Sequence, residues 1–328
     1  MNVRLTTKVA GAVAGAVLLS ASANAACGKM VISEMNWASA SFMANVDAAI
    51  LTGMGCDVEL VAGATMPTFT SMNEKGTPDV APELWANAVS DLLDSAVDAG
   101  RMKIGTEGPI TGLGEGWFIL PHTADAYPEL ETVLDIIERP EIFGGNFVGC
   151  PAGWGCQLTN QSLFGGFDMA AKGWNLVDPG SAAGLDGSVA KASEQGEHWF
   201  GYYWNPTSLV GKYDMRMMDW GVPYAGDDHW NGCIALGAGE CADPQASAWT
   251  TSRVVTAVSE NMYRHGGQEA LDYFAARVIS GQDLNAELVW MEDNSGTGAD
   301  AAAHFLANSD VWESWVSADV AAAVKAAL

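Results

Sequence analysis

Positive charge and histidine are both scarce in this chain. Among 328 residues, Lys and Arg number 15 against 40 Asp and Glu, a formal net charge of −25, and His occurs 5 times. A surface this acidic repels polyphosphate and anionic headgroups, which excludes nucleic acid and a membrane surface as partners. Scattered histidines, and cysteines without paired two-residue spacing, argue against zinc. There is no Gly-x-Ser-x-Gly, no His-Glu-x-x-His and no P-loop. Charged residues make up only 17% of the chain and apolar residues 49%, so it is no solvated acidic tail and has the material for a large core. Its length suits about two domains.

What is there begins with an export signal. Arg4 and Lys8 precede a short apolar run, Val9 to Leu19, and Ala23-Asn24-Ala25 reads as a cleavage site. Residues 1–25 are therefore expected to be removed and the mature chain exported. Export gives the 6 cysteines meaning, because thiols pair in an oxidising compartment. Proximity along the chain favours Cys27–Cys56, Cys150–Cys156 and Cys233–Cys241.

The pattern of elements is α/β. Met30 to Ser33 reads as a strand, Phe42, Val46, Ala49 and Ile50 mark one face of a helix, and Asp57 to Val61 reads as a second strand. Ser39 or Ser41 is the expected cap of that helix. This βαβ unit implies a parallel sheet. Further strands are expected at Pro78 to Trp85, Gly116 to Leu120 and His198 to Trp204. Helices are expected at Ala86 to Ala99, Pro128 to Arg139, Thr251 to Arg264, Gln268 to Ile279, Ala299 to Leu306 and Ser317 to Leu328. Gly144 to Gly155 reads as irregular. The expected division is a first lobe at 26–118, a second at 119–220, and a return to the first at 221–328.

The 13 tryptophans are the chemical signal. In Gly149-Cys150-Pro151-Ala152-Gly153-Trp154-Gly155-Cys156, a Cys150–Cys156 bond would close a small ring and hold Trp154 rigidly. Its glycines would let the N–H groups of Gly155 and Cys156 approach a ligand oxygen. Alternation in His198 to Asn205 puts Phe200, Tyr202 and Trp204 on one strand face, with Trp204 at its end. Trp85 and Trp37 each stand where a strand gives way to a helix, and Trp117 lies on a further strand. Indoles gathered at strand mouths suit a cage for a methylated ammonium group. Such a cation is held by ring quadrupoles, each face worth about 0.5–2 kcal/mol. Glu34, Glu83 and Glu115 are the acids placed to meet the polar end of such a ligand. The oxygen-rich run from 293 to 300 makes Asp293, Asn294 and Asp300 candidates for a structural calcium ion, the alternative being a capped turn before a helix.

At these residues the chain resembles the periplasmic glycine betaine/proline-betaine-binding proteins of ABC importers. The resemblance rests on Gly149–Cys156, on Tyr202 to Pro206, on Trp85 ahead of a helix and on Gly114 to Pro121. Asp283 to Ala286, Phe305 to Asn308, Asp310 to Trp312 and Trp315 add to it. It implies a two-lobed periplasmic-binding-protein fold of type II, hinge strands between the lobes, an inner-membrane permease as partner, a monomer, and no covalent chemistry. Carried over, Trp85 is the cage indole of the first lobe, Trp154 and Trp204 are those of the second, and the backbone of Gly155 and Cys156 meets the ligand's anionic end. Some relatives have a His four residues after the first cage Trp; here that residue is Val89. A carboxylate would lose a donor, which favours trimethylamine N-oxide over glycine betaine. Choline, carnitine and dimethylsulfoniopropionate remain alternatives, as does a secreted enzyme acting on such a compound.

Overall fold

A computed structural model describes residues 27–328. The expected signal peptide lies outside the described residues. The first strand, β1 (Lys29–Met35), leads into helix α1 (Ala38–Gly53) and returns as β2 (Asp57–Gly63), paired in parallel with β1 in the expected βαβ manner. Helix α2 (Thr65–Lys75) follows, then β3 (Val80–Trp85), helix α3 (Ser90–Asp98) and β4 (Met102–Glu107). The chain then crosses to a second sheet, made of β5 (Gly114–Ile119), β6 (Asn146–Val148), β7 (Asn175–Val177), β8 (Phe200–Asn205) and β9 (Arg216–Met217). It returns with β10 (Val254–Ser259), which lies antiparallel between β3 and β4. The strand orders are β2-β1-β3-β10-β4 and β7-β6-β8-β5-β9. Helices flank both sheets, giving two α/β lobes.

Two features differ from the sequence reading. Thr251 to Arg264 is not one helix: Val254, Val255 and Val258 are wholly buried in the middle of a sheet, where β-branched side chains pack well, and only Glu260–His265 is helical. The expected helix at Pro128 to Arg139 shrinks to Val133–Ile137, because Thr132 and Asp135 form a capping box that sets its start. The crossing between the sheets lies ahead of β5, close to the expected bound at 118. Because β5 pairs with β8 along its whole length, the chain has already left the first sheet by Gly114. Its return to that sheet is β10, so 221 to 253 lies ahead of the return.

All three expected disulfides are formed, Cys27–Cys56, Cys150–Cys156 and Cys233–Cys241. The oxygen-rich run lies at two helix ends. Asp293 ends the helix Gly281–Asp293 and Asn294 caps it. Asp300 instead accepts from the Thr297 amide and hydroxyl, as the capping box of the next helix. No group of three His, Cys, Asp or Glu able to hold a metal occurs among the described residues. No described helix is long and apolar enough to cross a membrane.

Candidate ligand cavity

Parallel strands deliver side chains to a common edge, and both lobes use this. Trp37 follows β1 and precedes the first residue of α1; Trp85 is the last residue of β3, beside it. No side chain caps α1. Ser39 donates to Glu83 and Ser41 to Glu34, so neither serine does the expected capping. From the second lobe, Trp204 and Tyr202 lie two apart on one face of β8, and Glu115 on β5 is paired directly with Trp204. Trp154 is the N-cap residue of the helix Gly155–Gly166 and sits inside the Cys150–Cys156 ring. Gly153 adopts φ 88°, a left-handed conformation open to glycine, and this turns the loop toward the cleft.

These residues meet. A cavity of about 300 Å³, its open mouth included, is lined by Trp37, Trp85, Trp154 and Trp204 together with Tyr202, Glu115, Thr65, Gly155 and Cys156. Trp154 meets Trp204 edge to face at 5.3 Å, and Tyr202 stacks on Trp204 at 6.2 Å. The lobes are closed on one another: the Met66 amide donates to the Gly153 carbonyl at 3.1 Å, and Trp154 Nε1 donates to Asn36 Oδ1 at 2.8 Å. Two helices begin at the cavity, α2 at Thr65 and the other at Gly155. First-turn N–H groups have no acceptor within their own helix, and the helix dipole makes that end positive, so both suit the electronegative end of a ligand. No Lys, Arg or His lines the cavity.

Glu115 is the acid in this cavity. It is buried, and Tyr202 donates to its Oε2 at 2.7 Å, with the Trp249 and Ser252 side chains also acting on the carboxyl. Burial pushes its carboxyl up to about 7, with Tyr202, Trp249 and Ser252 pulling the other way. Burial and the neighbouring Glu115 keep the Tyr202 phenol protonated, so it acts as the donor. Glu83 does not line the cavity and accepts from Trp37 Nε1 and Trp85 Nε1. Glu34 is remote from it, taken up by Ser41 and Asn45. Trp117 is not a wall. Two strand pairs further along β5 than Glu115 and on the same face, it is fully buried against Phe147, Phe200 and Trp220 and donates to Asn160 Oδ1 at 2.7 Å, because that length of strand carries it from the edge into the core of the second lobe. The sequence reading missed Tyr202 and Thr65 as lining residues. The two-residue spacing of Tyr202 and Trp204 on one strand was the available signal for Tyr202; nothing local marks Thr65.

Two lobes closing over an aromatic cavity define a solute-binding protein of an ABC importer. The chain belongs to the family described as the substrate binding domain of ABC-type glycine betaine transport systems, which it matches over residues 28–308. Members are non-enzymatic, extracytoplasmic proteins that work with a transporter permease. Among solved structures, it is similar to an ABC-transporter choline-binding protein in complex with choline, with 19% identity, TM-score 0.73, and coverage of 92% of this chain and 98% of that one. It is also similar to the glycine betaine/L-proline-binding protein ProX from Borrelia burgdorferi, at 15% identity, TM-score 0.71, and coverage of 90% and 99%. Lactococcal OpuAC in its closed form with glycine betaine matches at 17% identity and TM-score 0.67, covering 88% and 100%. These likenesses concern the fold. No match was found among curated protein sequences.

Proposed function

We propose that the cavity holds a small methylated ammonium compound, and that trimethylamine N-oxide fits it better than glycine betaine. The methyl-clad nitrogen sits among Trp37, Trp85, Trp154, Trp204 and Tyr202. Such a group donates no ordinary hydrogen bond, so it gains from π faces and loses little by leaving water. The observation that carries the choice is the buried acid Glu115 in the wall of an aromatic cavity that has no cationic side chain. A betaine carboxylate brings a full charge shared over two oxygens into a cavity whose wall has no cationic side chain to pair it. An N-oxide oxygen is smaller and accepts a single proton, which neutral Glu115 donates while the first-turn amides of Gly155 and Cys156 complete its shell.

Choline is the second reading, favoured by the same group in its other state, since ionised Glu115 accepts from a ligand hydroxyl. Either way the two lobes close over the ligand and the closed form is presented to the permease. Titration calorimetry of the mature protein with trimethylamine N-oxide, choline, glycine betaine and alanine tests this. Binding of a methylated ammonium compound, with the N-oxide tightest, supports the proposal. Binding of alanine alone ends it.

A further inference from the structure

Glu83 has a role that its absence from the cavity wall conceals. Its side chain is wholly buried on β3, and its Oε1 accepts three donors, each at 2.8 Å: Trp37 Nε1, Trp85 Nε1 and Ser39 Oγ. Two of the four indoles therefore turn their N–H edges to one oxygen, which fixes how their rings stand at the cavity. An indole that donates to an anion is polarised toward its ring, and Glu83 itself is not among the residues that line the cavity. Burial raises the Glu83 carboxyl above its ordinary value, and the donors Trp85, Trp37 and Ser39, with Arg277 after them, pull the other way and favour the charge. Buried Arg277 donates to the Pro82 carbonyl at 3.0 Å and to Thr256 Oγ1 at 2.7 Å, next to Glu83 in the chain and across β3 from β10, and its attraction reaches the Glu83 carboxylate. Arg277 also pairs with Asp47, so Glu83 receives only part of its compensation.

We infer that Glu83 is a positioning residue that sets the charge selectivity of the cavity: it orients Trp37 and Trp85 and makes them prefer a methylated cation to a neutral guest of the same shape. This rests on the ammonium reading above and deepens it. In water the cost of desolvating a cation would favour the neutral guest, so a preference for the cation has to come from negative potential inside the site.

The test compares choline with 3,3-dimethylbutan-1-ol, in which carbon replaces nitrogen, by calorimetry on the full mature chain. Wild type is expected to prefer choline. In Glu83→Gln, whose amide oxygen can still accept the indole N–H groups, choline affinity is expected to fall about 10-fold or more while the alcohol changes about 2-fold or less. Near-UV circular dichroism reports whether the indoles have kept their setting. Equal losses for both guests, or no loss for either, would overturn the inference. A wild type that does not distinguish the two guests would instead overturn the ammonium reading itself. Should Glu83→Gln fail to fold, Glu83→Asp keeps the charge but withdraws it from the indoles. Both guests should then weaken with the preference for choline retained, and loss of that preference despite the retained charge counts against the role.

Discussion

Trp37 of the first lobe and Trp154 of the second meet edge to face, with ring centroids 5.3 Å apart and planes at 70°. The contact joins the lobes, and the Trp154 indole reinforces it by donating to Asn36. Trp154→Ala removes one π face, worth about 0.5–2 kcal/mol, and a hydrogen bond worth about 0.5–1.5 kcal/mol. Their sum, about 1–3.5 kcal/mol, is centred above the ~1.4 kcal/mol of a tenfold change, so ligand affinity should fall about 10-fold or more. Unchanged affinity in a calorimetric titration would show that Trp154 only fills space.

Gly155 separates closure from folding. A Cβ built there would lie 2.9 Å from the Ala88 Cβ and 3.5 Å from Thr65 Cγ2, both on the first lobe. Its φ is not left-handed, and alanine is the better helix former, so Gly155→Ala should not destabilise the second lobe. The expected result is an unchanged thermal midpoint without ligand and markedly weaker binding, because the lobes cannot close fully. Small-angle scattering with saturating ligand should show a more open particle than wild type. Wild-type affinity would mean the clash is relieved by a small shift of the first lobe.

Proton linkage distinguishes the two ligand readings. Glu115 titrates at about 7, and a bound N-oxide needs it protonated. Trimethylamine N-oxide should therefore bind best below pH 7 and weaken toward about 10-fold per pH unit above it, with proton uptake on binding. Choline needs the carboxylate and should show the opposite slope. Calorimetry in buffers of different ionisation enthalpy measures the sign directly.

The same group makes a stability prediction. Burial raises the Glu115 carboxyl from 4.5 to about 7, so its ionisation is disfavoured in the folded state. The stability linked to the neutral form is whole below about pH 4.5 and declines as pH rises toward 7, by about 3 kcal/mol in all at ~1.4 kcal/mol per unit. Glu115→Gln lacks this loss. In urea unfolding without ligand it should match wild type at pH 4.5 and exceed it at pH 8, by less than the full amount because the Tyr202 bond is weakened. A variant less stable than wild type at pH 8 would show that Glu115 is ionised there at little cost.

Much of the fold could be read locally. The βαβ unit of β1, α1 and β2 is written in apolar periodicity, and the disulfides join cysteines close in sequence or flanking that unit. The ring around Trp154 is contained in eight consecutive residues. By contrast, the sequence around β10 reads as part of a helix over 251–264. Its run of valines is compatible with either period, and only placement between β3 and β4 decides between them. Trp117 and Trp204 looked alike as strand aromatics, but one lies in the lobe core and the other at its edge.

From the amino acids alone came the α/β class, the acidic surface, the three cysteine pairs and the presence of indoles at strand ends. Those properties depend on neighbours a few residues apart, which sequence displays. Tertiary structure alone decided which four indoles share a cavity, that Tyr202 and Thr65 join them, that Glu115 is buried in its wall, and that Glu83 accepts from both Trp37 and Trp85. Each of these requires segments far apart in the chain to converge, and the burial that shifts Glu115 exists only once they have.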